Sequence, residues 1–199
     1  MPLSQPASRQ HLHTRDITCK GYLREDGLWD IEGHLHDSKT YPFSNDWRGE
    51  VAPGMPVHEM AMRLTVDEDF RIHAVEAVTD ASPYRICPDV LPNFQRLVGQ
   101  QIGRGWRRKV RELLGGVEGC THLVELLGPL ATVAFQSIRP YQRHRLKQNL
   151  EEGASDPTNK RPHQLNTCHG WSEKGEVVKR WMPEFYTGDD APARESEGA

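Results

Sequence analysis

Cys120 and His122 stand two residues apart in the run Gly-Gly-Val-Glu-Gly-Cys-Thr-His-Leu, residues 115–123. A thiol and an imidazole this close can do nucleophilic, acid–base or metal-ligand chemistry. The residues that follow, Leu123, Leu126, Leu127, Leu130, Ala131 and Ala134, recur at helical spacing. The spacing predicts a helix from about Thr121 to Ile138, with Pro129 as a point where it can kink. Cys120 then lies at the helix N-terminus, where free N–H groups and the dipole favour a thiolate. His122 falls on the border of the apolar stripe. The glycines allow a sharp turn or a close backbone approach to a ligand. A buried thiol with a packing, capping histidine accounts for the same residues, so both readings stand at this point.

Other chemistry-bearing residues sit at the ends of elements. His58 shares the apolar side of VHEMAMRLTV with Met60, Met62 and Leu64. Cys87 follows Arg85 and precedes Pro88; Cys168 and His169 open a C-terminal segment. His58, Cys120 and His122 are the catalytic candidates. Cys87, Cys120, His122 and Cys168 are the alternative set for a zinc ion, since three thiolates and an imidazole suit tetrahedral zinc. No short-spaced C-x₂-C pair is present, which favours a metal-free acid–base site. Arg104, Arg107, Arg108 and Arg111 form a basic helical face, either solvated or a grip for a carboxylate or phosphate. Arg85, Arg104 and Trp106 are the candidate substrate contacts. Asp30, Glu32, His34 and His36 alternate along one strand face, which solvent exposure explains and metal binding also fits.

These residues need elements to position them. ITCKGYLRE, the turn pair Asp26-Gly27 and LWDIEGHLHDSKTY read as a hairpin with Trp29, Ile31 and Leu35 on one face. A polar, Pro- and Gly-rich loop spans Pro42 to Pro56. VHEMAMRLTV, the acidic turn DEDF and RIHAVEAVTD read as a second hairpin, whose return strand has two faces that the pattern does not rank. Helical stripes follow at Leu91, Phe94, Leu97, Val98 and Ile102, and at Trp106, Val110, Leu113 and Leu114. Residues 139–163 read as an exposed helix end and a loop. LNTCHGW and EVVKRWMPEFY read as a last strand pair. The expectation is an α+β fold, an antiparallel sheet of hairpins packed on one side by about three helices, the one near Thr121 most buried. The expected boundaries are a flexible arm at 1–15, one domain at 16–186 and a disordered tail at 187–199.

Composition narrows the function classes. The 199 residues carry 25 basic and 28 acidic side chains, net −3, which lacks the basic surplus of a general nucleic-acid binder. No apolar run has the length of a membrane span and the N-terminus lacks a secretory core segment, so a cytoplasmic location with four reduced cysteines is expected. No Rossmann or P-loop glycine signature is present, which removes a visible nucleotide site.

REDGLWDIEGHLHDSK, GMPVHEMAMRLTVDEDFRIHAVEAVTDASPYRICP, LVGQQIGRGWRRKVRELLGGVEGCTHLVELLGPLATVAFQ and LNTCHGW with EVVKRWMPEFY resemble the bacterial domain of unknown function 2889. The resemblance covers about Thr14 to Tyr186. On the family's pattern the positions of interest are Asp26, Asp30, Asp37, His58, Cys87, Cys120, His122 and Cys168. The resemblance implies a bacterial protein associated with breakdown of aromatic or similarly recalcitrant compounds. The expected function is a cofactor-independent lyase or hydratase-type enzyme on aromatic acids or their thioesters, with an anionic or aromatic small-molecule substrate, zinc as the one alternative cofactor and a homodimer as a possible assembly. The alternative is a non-catalytic binding or accessory protein of such a pathway.

Overall fold

The computed structural model describes residues 3–151, 162 and 164–190. The chain divides into two compact units, Met1–Lys147 and Gln148–Ala199.

In the first unit, strands β1 (His13–Leu23) and β2 (Trp29–Lys39) form one hairpin, and β5 (Pro56–Val66) and β6 (Ile72–Ala81) another. Between them β3 (Phe43–Asn45) and β4 (Gly49–Val51) pair as a small ribbon. The main sheet is antiparallel in the order β1-β2-β5-β6. Gly27 turns the first hairpin with φ 84°, a conformation open to glycine. Asp67 holds the second turn by accepting from the backbone N–H groups of Asp69 and Arg71. A 3₁₀ segment, Cys87–Leu97, leads to helix α1 (Trp106–Leu114), and helix α2 (Thr121–Glu151) follows. This is the expected α+β architecture, with β1 beginning at His13.

Alternation fixes the inner face of the sheet. Trp29, Ile31, Leu35 and Asp37 of β2 lie on it, opposite Val66, Leu64, Met60 and His58 of β5. Every one of those apolar residues is buried. α2 covers them with the stripe read from the sequence: Leu123, Leu126, Leu127, Leu130, Ala131, Ala134 and Ile138 are all buried. Each such leucine contributes about 1.5–3 kcal/mol by leaving water. Rings fasten α2 beyond this stripe: Tyr141 meets Trp29 of β2 edge-on at 5.5 Å, and Phe135 meets Phe70 of the turn between β5 and β6 at 4.3 Å.

The face of β6 that periodicity left open is settled by a bulge. Leu64 opposes Val75 and Met62 opposes Ala77, while a register shift between Thr65 and Val66 brings Val66 opposite Ile72. One extra residue changes the phase, so Ile72 and Val75 both point inward although they sit three apart. The ribbon at 43–51 lies inside the stretch read as loop, because three-residue strands carry no measurable alternation. Cys87–Leu97 winds as 3₁₀ rather than α, with Pro88 and Pro92 withholding backbone donors.

The C-terminal strand pair is corrected. Among the described residues, the second unit holds a 3₁₀ turn His169–Trp171, helix α3 (Glu176–Trp181) and a 3₁₀ turn Pro183–Phe185, and no strand. Val177, Val178 and Trp181 suggested a strand by propensity, which is a weak prior. Glu176 in the first turn and Lys179 and Arg180 in the last complement a helix dipole instead. The tail expected from residue 187 falls outside the described residues after Asp190, whose carboxylate accepts from the Tyr186 hydroxyl at 2.6 Å.

Candidate active site

Three adjacent strands place three polar side chains in one row. Arg15 of β1 opposes Asp37 of β2, and Asp37 opposes His58 of β5, so all three share the inner face. Asp37 is 1% exposed. A carboxylate so buried must be paired and hydrogen-bonded. Arg15 grips it with both prongs, Nε to Oδ1 at 2.7 Å and Nη2 to Oδ2 at 2.7 Å. His58 Nδ1 lies 2.9 Å from Oδ2 and His13 Nε2 lies 3.4 Å from Oδ1. Burial works to raise the Asp37 pKa, but the hydrogen bond and charge of Arg15, then those of His58, outweigh it and hold the group below its ordinary value. Asp37 is therefore a carboxylate that only accepts, so the His58 Nδ1–H is the donor. That fixes the tautomer: the lone pair of His58 is on Nε2, away from Asp37.

The first turn of α2 closes over this row. The rings of His58 and His122 stack with centroids 3.6 Å apart and planes 30° from parallel. His122 Nε2 lies 3.9 Å from Asp37 Oδ2, and His122 Nδ1 lies 3.8 Å from Cys120 Sγ. Each imidazole thus turns one nitrogen towards Asp37 and the other away from it. Glu125, one turn on, pairs with Arg15 and completes the charge balance. Burial pushes the pKa of His58 down first, the nearby His122 adds to this, and Asp37 opposes it. Burial also lowers that of His122, with Arg15 reinforcing. Both imidazoles are neutral near pH 7 and keep a lone pair.

His58, Cys87, Cys120 and His122 border one cavity of about 490 Å³. Its apolar wall includes Met60, Pro83, Tyr84, Ile86 and Val90. Among the described residues, no Lys or Arg lines it, and Asp89 is the lining side chain with a formal charge. The set Asp37, His58 and His122 offers ligand atoms within 4.8 Å of one another, so a metal such as zinc is compatible with the site.

The other candidates lie elsewhere. Arg85 sits 6.0 Å from the ring of Trp47, and Arg104 is exposed; neither lines the cavity. Trp106 is buried, and its indole N–H donates to the Leu127 carbonyl at 3.0 Å, which joins α1 to α2. Cys168 is exposed in the second unit. Cys19 packs against the core, where burial pushes its thiol pKa up and makes it inert. On the outer sheet face Glu32 is bound by Arg63 at 2.9 Å, Asp30 by Thr65 at 2.7 Å, and His36 pairs with Glu59. The glycines before Cys120 serve the turn itself. A Cβ on Gly115 would stand 2.3 Å from the Arg111 carbonyl, and one on Gly119 2.2 Å from that of Leu114. Their close approach is to the end of α1. Arg15 and Asp37 carry the site; the resemblance marks Asp37 as a position of interest without assigning it a role, and the sequence does not single out Arg15. The signal for Asp37 was its place two residues beyond Leu35 on the apolar side of β2.

Residues 13–136 match the family described as protein of unknown function, DUF2889. The chain belongs to this family. No curated protein and no solved structure matches it. The matched span holds every residue of this candidate site, from His13 and Arg15 on the edge strand to Glu125 on α2. It excludes Cys168. Among the described residues, no helix is long and apolar enough to cross a membrane.

Proposed function

We propose that this DUF2889 protein is a small-molecule enzyme of the hydratase or lyase type, working by proton transfer at the 490 Å³ cavity. The observation that carries the reading is the relay Arg15–Asp37–His58. A buried carboxylate, clamped by a guanidinium, fixes the imidazole so that Nε2 offers its lone pair on the side away from Asp37. A general base needs this combination of neutral imidazole, fixed tautomer and bordering cavity. His58 takes a proton from water, the hydroxide adds to the β-carbon of a polarised C=C bond, and the displaced electron pair forms the enolate of the neighbouring carbonyl. The imidazolium then returns its proton to the α-carbon. The reverse sequence eliminates water.

The apolar wall suits an aromatic or similarly apolar body, in keeping with catabolism of aromatic compounds in a bacterial cytoplasm. The absence of Lys and Arg from the lining, among the described residues, favours the uncharged thioester over the free acid. The test is turnover of aryl-substituted α,β-unsaturated thioesters, followed by loss of the conjugated chromophore. His58→Gln should lower the rate by about 10²–10⁴ with little change in melting temperature. Turnover undiminished in that variant, or binding of the thioester without conversion by the native protein, overturns the proposal; the second outcome supports a binding protein.

A further inference from the structure

Hydration employs His58 and leaves two reactive groups on the same cavity wall, Cys120 and His122, without a task. Cys120 Sγ lies 3.8 Å from His122 Nδ1, within reach of an atom as large as sulfur. The other nitrogen of that ring, Nε2, lies 3.9 Å from Asp37 Oδ2. Asp37 only accepts, so the His122 proton is favoured on Nε2, and Nδ1 keeps a lone pair on the thiol side. The Thr121 hydroxyl, 3.5 Å from Nδ1, is a second group able to donate to it. At 3.9 Å the Asp37 carboxylate is too far for a hydrogen bond, yet its charge favours an imidazolium formed at His122. Thiol, imidazole and buried carboxylate thus stand in the order nucleophile, base and orienting group.

The backbone adds a further component. The first bond of the α2 ladder at this end runs from the Val124 N–H to the Cys120 carbonyl at 2.8 Å. The N–H groups of Thr121 and His122 precede it and have no acceptor within the helix. Donors of this kind, next to a nucleophile, stabilise the oxyanion of an acyl transfer.

We propose that Cys120 is a nucleophile that accepts the acyl group of a thioester held in the cavity, with His122 as its base, so that the site also hydrolyses thioesters. The inference rests on the proposed function for its substrate class and adds a second reaction to it. The Cys120 proton passes to His122 Nδ1 as Sγ bonds to the acyl carbon. The substrate's own C–S bond breaks, and the departing thiol takes that proton. Water then gives a proton to His122 and adds to the acyl carbon, the bond to Sγ breaks, and Cys120 recovers its proton. Thioester and water become carboxylic acid and thiol, with nothing oxidised or reduced.

A saturated probe separates this reaction from hydration. The dihydrocinnamoyl thioester of N-acetylcysteamine has no C=C bond to hydrate. Chromatography follows release of its thiol by the full-length protein, and mass spectrometry of the acid-quenched, digested protein locates the acyl group. Catalytic release is expected, with the acyl group on the peptide that carries Cys120. This mapping needs no variant, so it stands even where a substitution fails to fold. Cys120→Ala should lower release by about 10³-fold or more. His122→Ala should lower it by about 10²–10⁴-fold, and the remaining rate should climb with pH as the thiolate forms unaided, which a merely structural role would not produce. Absence of thiol release, release undiminished in Cys120→Ala, or an acyl group on Cys87 or Cys168 instead overturns the inference. Hydration of the unsaturated thioester without thiol release from the saturated probe defeats this inference alone. Release from the probe by a protein that does not hydrate the unsaturated thioester defeats the hydratase reading alone.

Discussion

The inner face of the sheet runs through the same strands at both ends, yet its two ends are built from opposite chemistry. At one end Trp29, Ile31 and Leu35 meet Val66, Leu64 and Met60 under the leucine stripe of α2. At the other the next inward row is Arg15, Asp37 and His58, under Cys120, His122 and Glu125 from the first turn of the same helix. The first arrangement is what stability asks for. The second buries a carboxylate and part of a guanidinium, and removing two charges from water costs more than their attraction often returns. A fold with an apolar alternative one row away does not need this cluster to hold together. The contrast is the strongest reason to place function at the polar end.

The apolar end should dominate stability. Leu35 is fully buried opposite Met60. Leu35→Ala should lower the free energy of unfolding by about 2–5 kcal/mol through lost transfer energy and the cavity it leaves. Urea denaturation measures this. A loss below that of a surface substitution would show that the packing end is not the foundation described.

The polar end should behave in the opposite sense. Replacing its row by apolar residues of similar size, Arg15→Met with Asp37→Leu and His58→Phe, should leave stability unchanged or raise it by about 1–4 kcal/mol. Turnover should vanish with it. The two readouts together sharpen the comparison. A protein that unfolds would mean that the ion pairs hold the sheet edge, and the case for chemistry at this end would lose its energetic argument.

Most of this framework was legible from residue spacing. Period-two alternation located both hairpins, and the 3.6-residue stripe after Thr121 located the helix that covers them. Cys120 and His122 stood out because glycines and a helix start flanked them. His58 stood out as an imidazole on an apolar strand face. The resemblance marks Asp37 but not its role, and Arg15 is not marked at all, for a common reason: each sits on a strand whose own neighbours explain it, and only register joins them. Arg15 faces Asp37 because the turn at Asp26-Gly27 pairs them across the hairpin, a relation that exists between strands and not along one. The C-terminal segment failed differently. Valines and a tryptophan in a six-residue stretch resemble a strand, and a helix of that length is too short to show its own period. Trp106, Arg85 and Arg104 drew attention as types suited to binding, but side-chain direction decided their places: one against Leu127, one over Trp47, one into solvent.

The smallest expected effect tests how the two ends are joined. Gly33 lies midway along the inner face, opposite Met62 on one side and Cys19 on the other. A Cβ there would stand 3.1 Å from Leu130 Cδ2, 3.3 Å from its Cγ and 3.4 Å from Cys19 Sγ. The missing side chain is therefore where Leu130 of α2 packs directly on β2, about two turns from His122. Gly33→Ala stiffens the unfolded chain, which favours folding by about 0.4–1 kcal/mol. Against this, Leu130 is fully buried and has little room to yield, and overpacking a filled core costs about 1–3 kcal/mol. The net expectation is a loss of about 1 kcal/mol, seen as a lower urea midpoint at unchanged slope. Trimming the obstacle should reverse the sign. In a Leu130→Val background the same Gly33→Ala change should be neutral or stabilising, and the double-mutant cycle should return a coupling of about 0.5–3 kcal/mol between the two positions. Stabilisation by Gly33→Ala in the native sequence would show that α2 is not seated on Gly33, and the packing end would then lose its part in setting where Cys120 and His122 meet the Asp37 row.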